Sequence, residues 1–307
     1  MPHTTPLCPP CTTALPFGPR GPAPSTGRLR AGCLGAALLA LVAATASAQE
    51  SEGPGTGQPL WEVGVFAGAL SAPAYPASSQ QSRRALALPY FIYRGDVLRA
   101  DRSGVGARLA HTDRWELDIG FSGALPASSD DVELRRGMPD LGTLIEFGPR
   151  AKVKLAEPGP GQRIMLDVPL RAALAFGGGV RQVGLALEPR LAYERGYASG
   201  WRARTAISLL VGDQQLNQYL YGVPAAYATT TRPAFEAQGG LISTRLTLDV
   251  GKRITSDVSM FAFVRHDLHS NSANRSSPLF AQDTGTSLGL GLTWTLGRSS
   301  TRVASGP

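Results

Sequence analysis

Cysteine is close to absent from this chain. Its three occurrences, Cys8, Cys11 and Cys33, all precede residue 34, so no thiolate metal centre or disulfide framework can be built in the rest. Cys8-Pro-Pro-Cys11 has redox-pair spacing but no β-α-β context and no second Cys/His pair, and reads as coincidence. Cys33 does not read as a lipidation site, because Arg30 stands just before it and the apolar run follows it. Histidine is also scarce, with four residues in all. Long apolar runs are missing too: the longest, Cys33 to Ala48, has 16 residues, short of the ~20 that a membrane-spanning helix needs. Charge of one sign is not concentrated anywhere. The formal +7 loses Arg20, Arg28 and Arg30 and no acid if residues 1–48 are removed, leaving +4, too diffuse for nucleic acid or a polybasic membrane patch.

What is present begins with an export signal. Arg28 and Arg30 form a positive flank, Cys33 to Ala44 an apolar core, and Ala46-Ser47-Ala48 a small-residue cleavage site. Residues 28–48 therefore read as a signal peptide, and 1–27, rich in Pro, Thr and Gly, as a disordered leader or an over-extended translation start. The exported chain would begin near Gln49. Residues 49–60 read as a periplasmic segment, 61–297 as one barrel and 298–307 as a polar tail.

In segment after segment of that exported chain, apolar and polar residues alternate with period two, the signature of a strand with different media on its faces. From Arg114 to Leu125, Trp115, Leu117, Ile119 and Phe121 share one face, and Glu116, Asp118, Gly120 and Ser122 the other. Turn residues divide the chain into strands at roughly 61–70, 85–94, 96–101, 104–111, 114–125, 141–155, 162–176, 180–195, 200–211, 240–252, 256–267 and 284–297. Long connections at 71–84, 126–140, 212–239 and 268–283 lie at one end, and brief ones such as Thr112-Asp113 and Arg253 to Thr255 at the other. This is the layout of an antiparallel transmembrane β-barrel of about 12 strands, whose closure leaves no orphaned edge in lipid.

One parity carries the charges: Glu116, Asp118, Glu146, Arg150, Lys152, Lys154, Asp167, Arg171, Glu188, Arg190, Glu194, Arg202, Arg204, Arg245, Asp249 and Arg265. The other carries residues such as Leu166, Leu187, Leu209, Leu248 and Leu290, and is expected to be free of charge, since a charge facing mid-bilayer costs ~2 to 4 kcal/mol. The ten from Glu146 to Arg204, excepting Glu194, are the candidate lumen-lining set. Arg150, Lys152, Lys154, Arg171, Arg202 and Arg204 could form a basic stripe, but pairing with Glu146, Asp167, Glu188 and Glu194 is the expectation. A secreted β-sandwich would show the same parity with its charged face outward. Strand length, unequal loops and aromatics near segment ends (Trp61, Tyr93, Trp115, Tyr193, Trp201, Trp294) favour the barrel.

Several short motifs also carry a family likeness: Ala74-Tyr75-Pro76, then Leu88-Pro89-Tyr90-Phe91-Ile92-Tyr93-Arg94-Gly95, then Phe147-Gly148-Pro149-Arg150, and Ser277-Pro278-Leu279 ahead of the last strand. In this order and spacing they resemble the MipA/OmpV family of outer-membrane proteins. The resemblance implies a barrel in the Gram-negative outer membrane, in contact with its lipid. By analogy with the best-known member it also implies a scaffold joining a lytic transglycosylase to a penicillin-binding synthase. It supplies no catalytic residues. The chain departs from the family pattern after Tyr75-Pro76, where Gly-Ser and acidic residues are usual, and at its end, which lacks a terminal aromatic.

No catalytic, cofactor or metal site is legible. His266-Asp267-Leu268-His269 is the only cluster with ligand-type side chains, and on a strand-to-loop boundary both histidines read as solvated rim residues. No nucleophile elbow surrounds any serine, Ser277-Pro278 reads as turn chemistry, and Gly177-Gly178-Gly179 is a tight loop rather than a phosphate cradle. The functional expectations are a non-enzymatic scaffold for envelope machinery, alternatively a passive small-solute channel, and least of all an outer-membrane hydrolase. The loop around Asp213 to Gly239 is long enough either to plug the lumen or to present an external surface.

Overall fold

The computed structural model describes residues 57–94, 98–101, 104–124 and 126–303. The leader and signal-peptide expectations fall outside them. Twelve strands can be followed among the described residues: β1 (Trp61–Pro73), β2 (Gln81–Arg94), β3 (Leu98–Asp101), β4 (Gly104–His111), β5 (Trp115–Ala124), β6 (Thr143–Gly159), β7 (Gln162–Phe176), β8 (in two pieces, Val180–Leu187 and Arg190–Gly196), β9 (Trp201–Gly212), β10 (Gly240–Arg253), β11 (Val258–Leu268) and β12 (Thr284–Arg298). Each pairs antiparallel with its sequence neighbours, and β12 pairs back onto β1, Leu292 opposite Ala67 and Trp294 opposite Val65, so the sheet closes. Closure gives the wall's backbone groups partners within the chain, as hydrocarbon demands.

The break in β8 falls at Glu188-Pro189, where proline has no N–H to give the ladder. Both pieces still pair with β7 and β9. Pro149 in β6 is accommodated similarly. Neither it nor Gly148 belongs to the β6–β7 ladder, which passes from Phe147–Ala172 to Arg150–Pro169. Gly148 is required because a Cβ there would collide with the Leu170 carbonyl. This explains the Gly-Pro inside a long strand.

The decisive feature is which parity faces out. Leu290 is 63% exposed, and Ile207, Leu209, Leu246, Leu248, Leu288 and Leu292 are also exposed. Asp118, Asp167, Arg171, Glu188, Asp249 and Asp267 are buried. A sandwich in water would reverse this, since it hides apolar groups and solvates charges. The outer wall is therefore the surface that lipid covers.

That wall is not wholly uncharged, contrary to the sequence expectation. Arg83, Arg195 and Lys252 share the outward parity. All three lie near strand ends, where the cost of a lipid-facing charge falls to ~0 to 1 kcal/mol. Two sit over aromatic rings, Arg195 at 4.9 Å from the Tyr197 centroid and Lys252 at 5.1 Å from that of Trp201, an arrangement suited to the headgroup region.

The flanking segments are not loose. Gln58–Pro59 pairs with Arg302–Val303 as a small antiparallel ribbon beside the short-turn end, extended by Leu60 N–H to the Thr301 carbonyl (2.9 Å) and Ser299 N–H to that of Trp61 (2.9 Å). Arg94 reaches across to the Pro59 carbonyl (2.9 Å) and Glu62 (2.8 Å).

Candidate functional site: the capped lumen

The long loops at the other end, which the outer-membrane layout places outside the cell, fold over and into the barrel mouth. The fifth, 213–239, carries helix α1 (Gln214–Tyr221), capped by Asp213, whose Oδ1 accepts the Leu216 N–H at 2.8 Å. Leu216 and Leu220, four residues apart, turn one helix face toward the inner wall. They pack there with Ala173 and Ala175 of β7, Val183 and Ala186 of β8, Leu210 of β9 and Ile242 of β10. Gly184 (φ +129°) lets the helix approach, for a Cβ there would strike the Leu216 amide and the Asp213 carboxylate. Alanines and a glycine thus leave the space that α1 fills.

The loops are tied to one another by buried polar groups. Asn217 and Asn274, both 0% exposed, meet through Asn274 Nδ2 to Asn217 Oδ1 (2.9 Å). Asn274 also binds both backbone groups of Gln238 (2.8 Å each), and Asn217 donates to the Gly212 and Asp213 carbonyls (2.9 and 3.0 Å). Ser277 Oγ donates to the Tyr221 carbonyl (2.7 Å) and accepts the Leu279 N–H (3.1 Å), so its turn chemistry also joins two loops. Tyr75 OH donates to the Leu279 carbonyl (2.6 Å). The Tyr75-Pro76 and Ser277-Pro278-Leu279 motifs, far apart in sequence, are therefore in contact. From the third loop, 126–142, Arg135 donates to the Leu220 carbonyl (3.3 Å), and its Gly142 N–H donates to Tyr219 OH (2.8 Å). Burial pushes the Tyr75 phenol up to about 12, with Arg135 opposing. Burial also lowers the Arg135 guanidinium.

Beneath this cap lies a belt of ion pairs running from β6 to β12. Arg171 bridges Glu146 and Glu188 (2.8 Å each), and Arg245 bridges Glu188 (3.2 Å) and Asp267 (2.8 Å). Arg265 binds Asp267 (3.1 Å) and Ser287 Oγ (3.1 Å). Glu188, 4% exposed at the break in β8, also accepts Ser208 Oγ (3.2 Å) and Arg190 (3.1 Å). Nearer the short-turn end, Arg150 clasps Asp118 with two hydrogen bonds (2.6 and 2.8 Å), Lys152 contacts Glu116 and Asp118 (2.9 Å each), and Glu194 sits between Arg163 (3.5 Å) and Arg204 (3.4 Å). Lys154, toward the same end, is 23% exposed against 7% for Arg171 of the belt.

All ten sequence-predicted lumen residues lie on the inward parity. Arg150, Lys152, Asp167, Arg171, Glu146, Glu188, Arg190 and Arg204 contact opposite charges of the wall, whereas Lys154 turns to Glu157 at the β6–β7 turn (3.0 Å). Arg202 lies opposite Gly251 of β10. Of the motif residues, Pro89 and Tyr93 face outward opposite Val65 and Trp61, and Tyr90 turns inward to bond Thr295 Oγ1 (2.6 Å).

Two features escaped the sequence reading. Helix α1 is one, although the inward parity of β7 gave a signal: charges at Arg163, Asp167 and Arg171 give way to Ala173 and Ala175. The other is His269, which is not a solvated rim residue but is 1% exposed, while His266 is half-buried and bonds Thr286 Oγ1 (3.0 Å). Among the described residues no group of His, Cys, Asp and Glu could hold a metal ion.

The profile of the family described as MltA-interacting protein MipA matches residues 65–296. The chain belongs to this family. No curated protein matches it. Among solved structures it is similar to the translocator domain of the autotransporter NalP from Neisseria meningitidis (11% identity, 76% of this chain and 88% of that one, TM-score 0.40). It is likewise similar to the NanC porin (10%, 76% and 100%, 0.36) and to an outer membrane channel from Pseudomonas putida F1 (12%, 81% and 100%, 0.36). With its apolar outer wall, this MipA-family chain is an outer-membrane β-barrel.

Proposed function

We propose that this barrel is a non-enzymatic scaffold for cell-envelope machinery, its lumen kept shut by its own loops. The carrying observation is the cap: α1 packs against the inner wall with Ala77 of the first loop and Phe280 of the sixth, the third loop packs on them through Tyr75, Val223 and Leu279, and the buried Asn217–Asn274 contact ties the fifth loop to the sixth. A pore gains nothing from filling its mouth, whereas a platform gains a rigid, closed body. The self-paired belt below supports the same reading, because moving a solute past it would mean separating buried ion pairs. The family description, an interacting protein of MltA, together with the family resemblance, points to a lytic transglycosylase and a penicillin-binding synthase as partners. For a hydrolase, His269 is poorly disposed: both its ring nitrogens are occupied by backbone groups, so that imidazole is not free to activate a serine.

Two measurements test this. Affinity capture of the full barrel from envelope extract in mild detergent should recover a peptidoglycan-cleaving or peptidoglycan-building enzyme, and recovery of neither overturns the scaffold. In planar bilayers the intact chain should be silent, and removal of 214–238 should open a steady conductance. Conductance by the intact chain would favour the passive channel, for which the partly accessible Lys154 on the inward parity of β6 is the supporting observation.

A further inference from the structure

His269 opens the sixth loop, 269–283, and one imidazole there holds three elements. Its Nε2 accepts the N–H of Ala77 in the first loop, 74–80, at 3.2 Å. Its Nδ1 lies 3.1 Å from the Ile242 carbonyl of β10. A carbonyl only accepts, so Nδ1 carries the proton, and Nε2, facing an N–H, must be the bare nitrogen. The ring packs edge-on against Phe280 (6.4 Å between centroids). The neutral tautomer is thus specified from both sides.

The partner at Nε2 is itself under constraint. Ala77 is the one non-glycine described residue with positive φ (+65°), a conformation that alanine holds only when its surroundings impose it. Three contacts impose it: the imidazole on its N–H, and the Ala281 and Gln282 amides on its carbonyl (3.0 and 3.1 Å). Protonating Nε2 would turn the acceptor into a donor aimed at another donor. It would leave the fully buried Ala77 amide unpaired.

We propose that His269 is a proton-operated latch on the barrel mouth, whose protonation frees the first loop from the sixth and loosens the cap. This goes beyond the scaffold reading and does not depend on which partner docks. The charged groups facing the ring are Asp267 at the end of its own strand, Arg245 of β10 and Arg265 of β11. The sixth loop adds only the Arg275–Asp283 pair, which is exposed, and 74–80 and the adjoining end of β12 bring no charge. Burial is the largest influence and, with the two arginines, holds the imidazole below its ordinary 6.5, against the Ile242 hydrogen bond and Asp267. With the folded value depressed, the open state binds the proton more readily. The latch is therefore intact above about pH 6.5 and weakens as pH falls below it.

Hydrogen exchange on the full chain in lipid nanodiscs provides the test, with rates corrected for the intrinsic effect of pH. Between pH 7.5 and pH 4.5, amides of 74–82 should lose protection by about tenfold or more, while β9 amides stay protected. His269→Gln, whose amide can still donate to Ile242 and accept from Ala77, should remove the pH response, and His266→Gln should leave it. Unchanged protection in the parent chain, or an equal loss in His269→Gln, overturns the proposal. Should His269→Gln fail to fold, histidine-selective NMR of the parent decides: loosening in step with His269 titration supports the latch, and loosening without it overturns it.

Discussion

Glu188 stands where a strand is interrupted and where three arginines, Arg171, Arg190 and Arg245, converge on one carboxylate. Its neighbour Pro189 opens the ladder, and Ser208 adds a fourth donor. The belt depends on this acid, because removing it strands several buried cations at once. Losing one partner of a buried ion pair costs about 3 to 5 kcal/mol. Glu188→Ala is therefore expected to lower stability by that order, read as a shift of the urea midpoint for unfolding from lipid vesicles. Glu157→Ala, which removes only an exposed partner of Lys154, should leave the midpoint nearly unchanged. Equal midpoints for the two variants would mean that the belt is solvated and contributes little.

At the scale of elements, α1 is held by space as much as by contacts. Gly184→Ala would force a Cβ against the helix's first turn at a backbone angle that L-residues rarely adopt. The helix should be displaced from the mouth while the barrel persists. The variant is expected to keep its parent's strand circular dichroism but become cleavable by external protease within 213–239. Resistance equal to the parent's would contradict the packing described. This contrast also marks what was legible in sequence. Strand positions were readable from Trp61 to Arg298, because a wall between lipid and lumen imposes period two on every segment. The inward set from Glu146 to Arg204 followed from the same alternation. The folding of 213–239 into the mouth was not readable: Asn217, Asn274 and Ser277 are ordinary loop residues in sequence, and only closure of the barrel brings them together. His269 was misjudged for a related reason, since a position just past a strand end is exposed unless another loop crosses it, as 74–80 does.

For the whole molecule, the outward aromatics show how deeply it sits. Trp61, Trp115, Trp201 and Trp294, all the tryptophans of the chain, are exposed on the outer wall near the short-turn end. Indoles prefer the boundary between headgroups and hydrocarbon. Lys252 over the Trp201 ring adds a cation at that level. Lipids brominated near the glycerol should therefore quench the intrinsic fluorescence more strongly than lipids brominated at mid-chain. The reverse order would place these rings in the bilayer centre and shift the assigned boundary. Because all four rings lie toward one rim, the emission reports on a single leaflet.

The small ribbon of Gln58–Pro59 with Arg302–Val303 bears on how the protein can be labelled in living cells. Its two described strands lie side by side at the short-turn rim, whereas Ala228 to Thr231 is exposed among the long loops of the opposite rim. An epitope spliced in at Thr230 should be stained on intact bacteria. The same epitope appended after Pro307 should stay hidden until the envelope is permeabilised, so one pair of tags reads out the orientation of the entire chain.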